Sequence, residues 1–352
     1  MAGESRARGP VAGLLTWLFA GALFGAPFLR TPEGVSWDGE DWRRAEDDYP
    51  FEEDVAYVEE VWLDEGVEIE LAGPLAESSE ELFGPGSAFL AASGLLELPR
   101  LEPGRREYVL HCAGCHGEAG DGAGPAARHL VPRPRNFRTG LFKFTSTASG
   151  AKPLREDLLR VVTEGLAGSA MPDFRLLPEE KRRDLVEYVR YLSMRGEYEE
   201  LTMELAYEEG EVPDPALVAG IVADRWRPAQ VAKQYPGTPE TPRDAASVAR
   251  GRALFVEPGR TNCAACHGEE GRGDGPTARD YLDEWGYPIV PRDLTTGVFR
   301  SGGGPEHLYL AIATGIGGTP MGSFDGNLTG EEIWDLVHFV QSLSDPDFES
   351  ED

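Results

Sequence analysis

Cysteine is scarce in this 352-residue chain: the four present are used up in two short segments, which leaves no thiol for a disulfide or a lipid anchor. Methionine numbers five and histidine six. Positive charge is also in short supply, with 33 Lys and Arg against 62 Asp and Glu, a formal charge of −29 and a pI near 4.6. A polyanionic surface repels phosphate backbones, so nucleic acid is excluded as a partner and a protein with a basic docking face is favoured. Long apolar runs are lacking too, with the single exception of residues 11–29.

The cysteines lie in Cys112-Ala113-Gly114-Cys115-His116 and Cys263-Ala264-Ala265-Cys266-His267. Two thiols three residues apart can reach both vinyl groups of one porphyrin, and the next residue brings an imidazole beneath the iron. A structural zinc site needs four protein ligands, and a redox dithiol does not need the trailing histidine. The two pentapeptides therefore read as covalent attachment sites for two haem c groups through Cys112, Cys115, Cys263 and Cys266, with His116 and His267 as proximal iron ligands.

An internal repeat surrounds the motifs. Gly117 to Pro125 is matched by Gly268 to Pro276, and Pro132 to Phe142 by Pro291 to Phe299 with a two-residue difference. Further on, Gly165 to Phe174 aligns with Gly315 to Phe324, which places Met171 55 residues after His116 and Met321 54 residues after His267. Met194 and Met203 have no counterpart in the other copy. A single methionine in such a loop is ordinarily core filler. Two at matched distances from two attachment motifs read as the sixth iron ligands, which raise the reduction potential and close the iron to oxygen or peroxide.

These motifs resemble the class I c-type cytochromes over about 100–195 and 248–344, here as a tandem pair. The resemblance implies an all-α fold of two tandem class I cytochrome c domains. It also implies that the Gly-Pro after each motif, Gly124-Pro125 and Gly275-Pro276, supplies a carbonyl to the proximal imidazole. Gly104 with Tyr108, and Gly251 with Phe255, match the glycine and aromatic of the family's first helix, where the terminal helices cross. For the last helix of the second unit, Thr329 and Glu332 form a capping box ahead of an apolar stripe at Ile333, Trp334, Leu336, Val337, Phe339, Val340 and Leu343. Leu185, Val186, Tyr188, Val189, Tyr191 and Leu192 form its counterpart in the first unit.

Residues 1–30, with Arg6 and Arg8 ahead of the apolar run, fit equally a cleaved signal peptide and a membrane anchor through 11–29. Both send the remainder out of the cytoplasm, to the periplasm or another extracytoplasmic space. Residues 31–99 form an acidic extension of uncertain structure: eighteen acidic and two basic residues lie between Asp38 and Glu81. Its aromatics, and a weak alternation from Val55 to Leu71, leave a short hairpin or a partner-ordered segment open. The first cytochrome domain is expected at 100–196, a connection at 197–247 with a helix near Val218 to Trp226 and a stiff Pro236 to Pro242 segment, and the second domain at 248–346. His111, His129, His307 and His338 read as surface or core histidines, with His129 the one alternative to Met171 as a ligand.

The leading functional expectation is a dihaem electron carrier between a membrane or periplasmic oxidoreductase and an acceptor, each iron His/Met ligated, with redox proteins as partners and no catalysis of its own. The alternatives are a dihaem peroxidase-like enzyme, which requires one iron to open its sixth position, and a haem subunit of a larger oxidoreductase complex.

Overall fold

The computed structural model describes residues 72–227 and 237–345. The apolar run at 11–29, most of the acidic extension and the Val55 to Leu71 segment lie outside the described residues. Within them the chain is helical, with no strand and two isolated bridges, Leu282 with Pro288 and Asp325 with Leu328. The expected all-α class holds.

Helices α1 (Ala72–Phe83) and α2 (Ala88–Ser93) precede the first unit, which consists of α3 (Leu101–His111), the single turn α4 (Ala113–His116), α5 (Arg155–Glu164) and α6 (Glu179–Glu209). After α7 (Pro215–Trp226), the second unit repeats the plan with α8 (Ala245–Val256), α9 (Ala264–His267), α10 (Pro305–Thr314) and α11 (Gly330–Ser342). The starts of the second unit's long helices are chemically marked. Asp244 caps α8 by accepting from Ser247 N at 2.7 Å. Thr329 and Glu332 form the expected reciprocal box at the head of α11, with bonds of 3.3 and 2.9 Å.

In each unit the first and last helices cross at a glycine. A Cβ on Gly104 would run into the Asp184 carbonyl oxygen and the Tyr188 side chain, and one on Gly251 into Asp335 and Phe339. One turn on, the aromatics meet: Tyr108 and Tyr188 have ring centroids 5.3 Å apart, Phe255 and Phe339 5.1 Å. Below the crossings the apolar stripes close the cores, with Leu185, Val189 and Leu192 in one unit and Ile333, Trp334, Leu336, Val337 and Val340 in the other.

Helix α6 does not stop near 196. It runs on to Glu209 for 31 residues, about 46 Å at the usual rise, so the acidic stretch expected to open the connection is largely helix. The reason is a buried face at helical spacing, Tyr198, Leu201 and Ala206, beside a Thr202 whose hydroxyl donates to Tyr198 O. That face meets Phe83, Leu90, Leu95 and Leu96 from one side and Val218, Val222 and Trp226 of α7 from the other, a third core that also takes in Met194. The Val218 to Trp226 segment is thus helical and packed on the first unit. The segment leading into α8 lies on the second: Trp334 Nε1 donates to the Thr238 carbonyl at 2.9 Å. No helix among the described residues is long and apolar enough to cross a membrane.

Candidate haem-binding sites

Both pentapeptides fold as one short helical turn set at right spacing by backbone bonds. His116 N donates to Cys112 O at 2.9 Å and His267 N to Cys263 O at 2.8 Å; Gly117 and Gly268 then donate to Ala113 and Ala264, each at 2.9 Å. The loops that follow repeat bond for bond. Gly122 N reaches His116 O at 2.9 Å as Gly273 N reaches His267 O at 2.8 Å, and Phe137 N reaches Gly120 O at 2.6 Å as Leu294 N reaches Gly271 O at 2.7 Å. The sequence repeat is therefore a repeat of backbone geometry.

The four cysteines are half-buried and none is in a disulfide. Burial pushes the Cys112 thiol up to about 12 and the Cys263 thiol up to about 11, so this setting suits a neutral sulfur such as a thioether. Burial also drives the pKa of His116 and His267 below the usual imidazole range, which keeps both rings in the neutral form that binds iron. His116 stacks on Phe137 with centroids 4.5 Å apart.

The imidazole acceptor is not where the resemblance placed it. His116 Nδ1 donates to the Arg135 carbonyl at 3.0 Å, and the Gly124-Pro125 carbonyls take no part. Gly124 is spent on the attachment turn, its N donating to Cys115 O at 3.2 Å, and Pro125 is exposed. A carbonyl can only accept, so the proton sits on Nδ1 and the Nε2 lone pair is free for a metal. In the second unit Arg292 holds the equivalent place. The buried Nδ1 of His267 faces its backbone without a hydrogen bond of normal geometry.

The methionine loops are the closest match of all. Leu166 N donates to Met171 O at 3.2 Å and Ile316 N to Met321 O at 2.9 Å. Ser169 Oγ and Thr319 Oγ1 donate to Leu166 O and Ile316 O at 2.7 and 2.8 Å, and accept from Met171 N and Met321 N at 3.2 and 3.3 Å. Phe174 N and Phe324 N anchor the loop ends to Val162 O and Ile312 O, each at 3.2 Å.

Three of the other four histidines have ordinary partners, while the buried Nδ1 of His307 has no hydrogen-bond partner among the described residues. His338 is fully buried with Nδ1 2.6 Å from Ser247 Oγ, His111 sits 3.4 Å from Glu107, and exposed His129 accepts from Arg128 Nε at 3.1 Å. Among the described residues no three His, Cys, Asp or Glu side chains gather as they would around a bare ion. The donor set, two thiols and one imidazole on a single turn with a thioether loop repeated in step, fits a porphyrin that brings its own four nitrogens.

Sequence reasoning missed Arg135 and Arg292. The signal was present in Pro134-Arg135 and Pro291-Arg292, which match once the two-residue difference is placed ahead of them.

Two family models match the chain in separate places: "Cytochrome c" over residues 248–344 and "Cytochrome C oxidase, cbb3-type, subunit III" over residues 99–189. A chain of the Kuenenia stuttgartiensis reducing HAO-like protein complex is similar in structure and sequence, with a TM-score of 0.56 and 35% identity over 69% of this chain and 96% of that one. No curated protein sequence matches.

Proposed function

Since this chain belongs to the c-type cytochromes, with two cytochrome c domains in tandem and two covalently attached haem c groups, we propose that it carries single electrons between redox proteins and catalyses no reaction of its own. In this reading Cys112 and Cys115 hold one haem, Cys263 and Cys266 the other. His116 with Met171, and His267 with Met321, ligate the irons. The haem iron supplies the one-electron couple; the chain sets its potential and its access. The Arg135 carbonyl fixes the His116 ring and makes it a better donor. The loop bonds on Ser169 and Thr319 hold each methionine in place and keep exogenous ligands out.

The observation that carries this reading is the near-identity of the two methionine loops. An enzyme of the peroxidase kind needs one site that differs from the other, with an open coordination position and an acid–base group beside it. Carbon monoxide added to the fully reduced protein tests it. Two spectra that do not change support filled sixth positions, while binding at either haem would replace this reading with an enzymatic one.

The similarity to a chain from a reducing HAO-like protein complex favours a specific form of the proposal, in which the protein works as the electron-transfer subunit of a larger oxidoreductase assembly outside the cytoplasm. The charge of −29 suits a basic docking face on the partner, so association should slow as salt is raised. A rate indifferent to ionic strength would remove the steering argument, and isolation of the chain free of any haem-bearing companion would remove the subunit argument.

A further inference from the structure

Each methionine loop rests on the arginine that backs the other unit's histidine. The carbonyl of Arg135 accepts from His116, while its guanidinium lies 3.3 Å from the centroid of the Trp285 ring in the second unit. The same indole fills the space beside Gly318, three residues before Met321, where a Cβ would strike it, and Glu284 N donates to Gly318 O at 3.2 Å. The reverse contact is direct, with no intervening side chain. Arg292, whose backbone faces His267, sets its guanidinium against Gly168, three residues before Met171, and a Cβ there would meet Nη2. Gly168 and Gly318 have φ of +70° and +68°, a conformation that leaves room for these neighbours only without a side chain.

The second unit has a dedicated loop for its side of this arrangement. Ten residues separate Ala127 from Phe137, whereas sixteen separate the equivalent Ala278 and Leu294. The excess forms a turn closed by Asp283 N to Tyr287 O at 2.8 Å and Ile289 N to Tyr281 O at 3.2 Å. At its tip, Asp283 stands 3.6 Å from Lys143 Nζ and 4.0 Å from Arg135 Nη1, both in the first unit. A contact selected for strength alone would not bury the Trp285 N–H, which has no hydrogen-bond partner among the described residues.

We propose that these two crossed contacts couple the haem sites, so that the oxidation state at one iron sets the midpoint potential at the other, with Arg135, Trp285 and Arg292 as positioning residues. The proposal rests on the ligand assignment given under Proposed function. With a haem iron held by His116, one electron from an external one-electron donor would remove one positive charge beside that ring and change the pull on the Arg135 peptide. The guanidinium of Arg135 is stacked on Trp285, and Trp285 is stopped by Gly318, so the displacement is delivered to the Met321 loop. Arg292 and Gly168 deliver the converse. By linkage, the shift that either iron imposes on the other is equal.

The test is a spectroelectrochemical titration of the holoprotein as wild type, Trp285→Leu, Trp285→Phe, Arg135→Lys and Arg160→Ala, with small-angle scattering of each. The first haem is assigned by the displaced signal of Met171→His. Trp285→Leu should shift the midpoint of the first haem, across the unit boundary, and reduce the dependence of each wave on the other. Trp285→Phe should restore both. Arg135→Lys keeps the carbonyl and the charge but loses the stacked plane, so it should reproduce the Leu result and stands in for it should that variant not fold. Arg160→Ala removes a different inter-unit bond, Nη1 to Ser301 O at 3.0 Å, and should leave both midpoints in place. A first-haem midpoint unmoved by Trp285→Leu and Arg135→Lys overturns the proposal, as does an equal shift in Arg160→Ala, which would mark general loosening of the seam. Carbon monoxide binding by the wild type would instead strike the ligand assignment, a failure read independently of these midpoints.

Discussion

The indole N–H of Trp226 donates to the Glu197 carboxylate across 2.8 Å, at a point where the same carboxylate also receives Lys152 at 2.8 Å and Arg225 at 3.1 Å. Trp226 is fully buried, so its ring and its N–H are separate contributions. Trp226→Phe, which keeps most of the ring, should cost about 1 kcal/mol for the lost bond. Trp226→Ala should cost about 3–5 kcal/mol through the cavity. Denaturant unfolding of the holoprotein checks both, and a midpoint unmoved in the alanine variant would show that α7 does not hold the first unit together.

The helix crossings make a second prediction. Gly104→Ala and Gly251→Ala each drive a methyl into a facing backbone carbonyl, and overpacking of this kind costs about 1–3 kcal/mol. The damage should stay local. Gly251→Ala should lower the unfolding temperature of the second unit, followed at its haem, while the first keeps its own.

Glu187 and Arg190 are both 2% exposed and paired at 3.2 Å, with Arg155 bonded to the same carboxylate. Removing one partner of a buried pair leaves a stranded charge, at about 3–5 kcal/mol. Glu187→Leu should therefore unfold the first unit at markedly lower denaturant, and Glu187→Leu with Arg190→Leu should recover much of the loss. A double variant as weak as the single one would contradict this account.

Glu200 supplies the pH dependence. Burial, with Glu197 and Glu199 nearby, raises its pKa to about 7 from 4.5 in spite of Arg138 and Lys152. The folded state then holds a proton that the unfolded chain releases, so stability falls as pH rises from about 4.5 to about 7 and stays lower above that. Glu200→Gln should raise the melting temperature at pH 8, by up to about 3 kcal/mol in stability at about 1.4 kcal/mol per pH unit of displacement, and change nothing at pH 4. Equal melting curves at pH 8 would show the carboxylate to be solvated.

Met171→Ala and Met321→Ala should each open one haem, and one only, to carbon monoxide, and the corresponding histidine variants should lower that haem's potential. The visible spectrum of the reduced protein reports both. A variant that still refuses the ligand would assign the sixth position to another side chain.

Much of the fold was legible because its signals are local. Haem attachment is written in five consecutive residues, the last helix of the second unit in a capping box and a 3.6-residue stripe, and the crossings in a glycine followed by an aromatic four residues later. The methionine loops could be aligned because the same small residues recur in the same order. What escaped depends on contacts distant in sequence. Nothing local distinguishes the Arg135 carbonyl from that of Pro125 as the partner of His116, since the choice follows from which backbone the Gly124 turn leaves free. The run-on of α6 was hidden by its charge, because Glu199, Glu200 and Glu204 mask a buried face whose partners lie more than a hundred residues upstream or some twenty downstream. The inserted loop at Tyr281–Tyr287 carries no motif of its own, and it takes on meaning only through a surface formed by the other unit.

The uninterrupted course of α6 also bears on how the chain can be cut and recombined. One helix closes the first haem unit with its leading half and seats the third core with its trailing half, so residues 72–227 should unfold as one piece, with no break in the helix at 196. A truncation there would expose Met194 and the base of the Phe83 and Trp226 cluster and be cleared by proteases. Among the described residues the second unit's core draws on nothing before Thr238 apart from the seam, so it is the portable half, and exchanges between related proteins should join in the interval after Arg227.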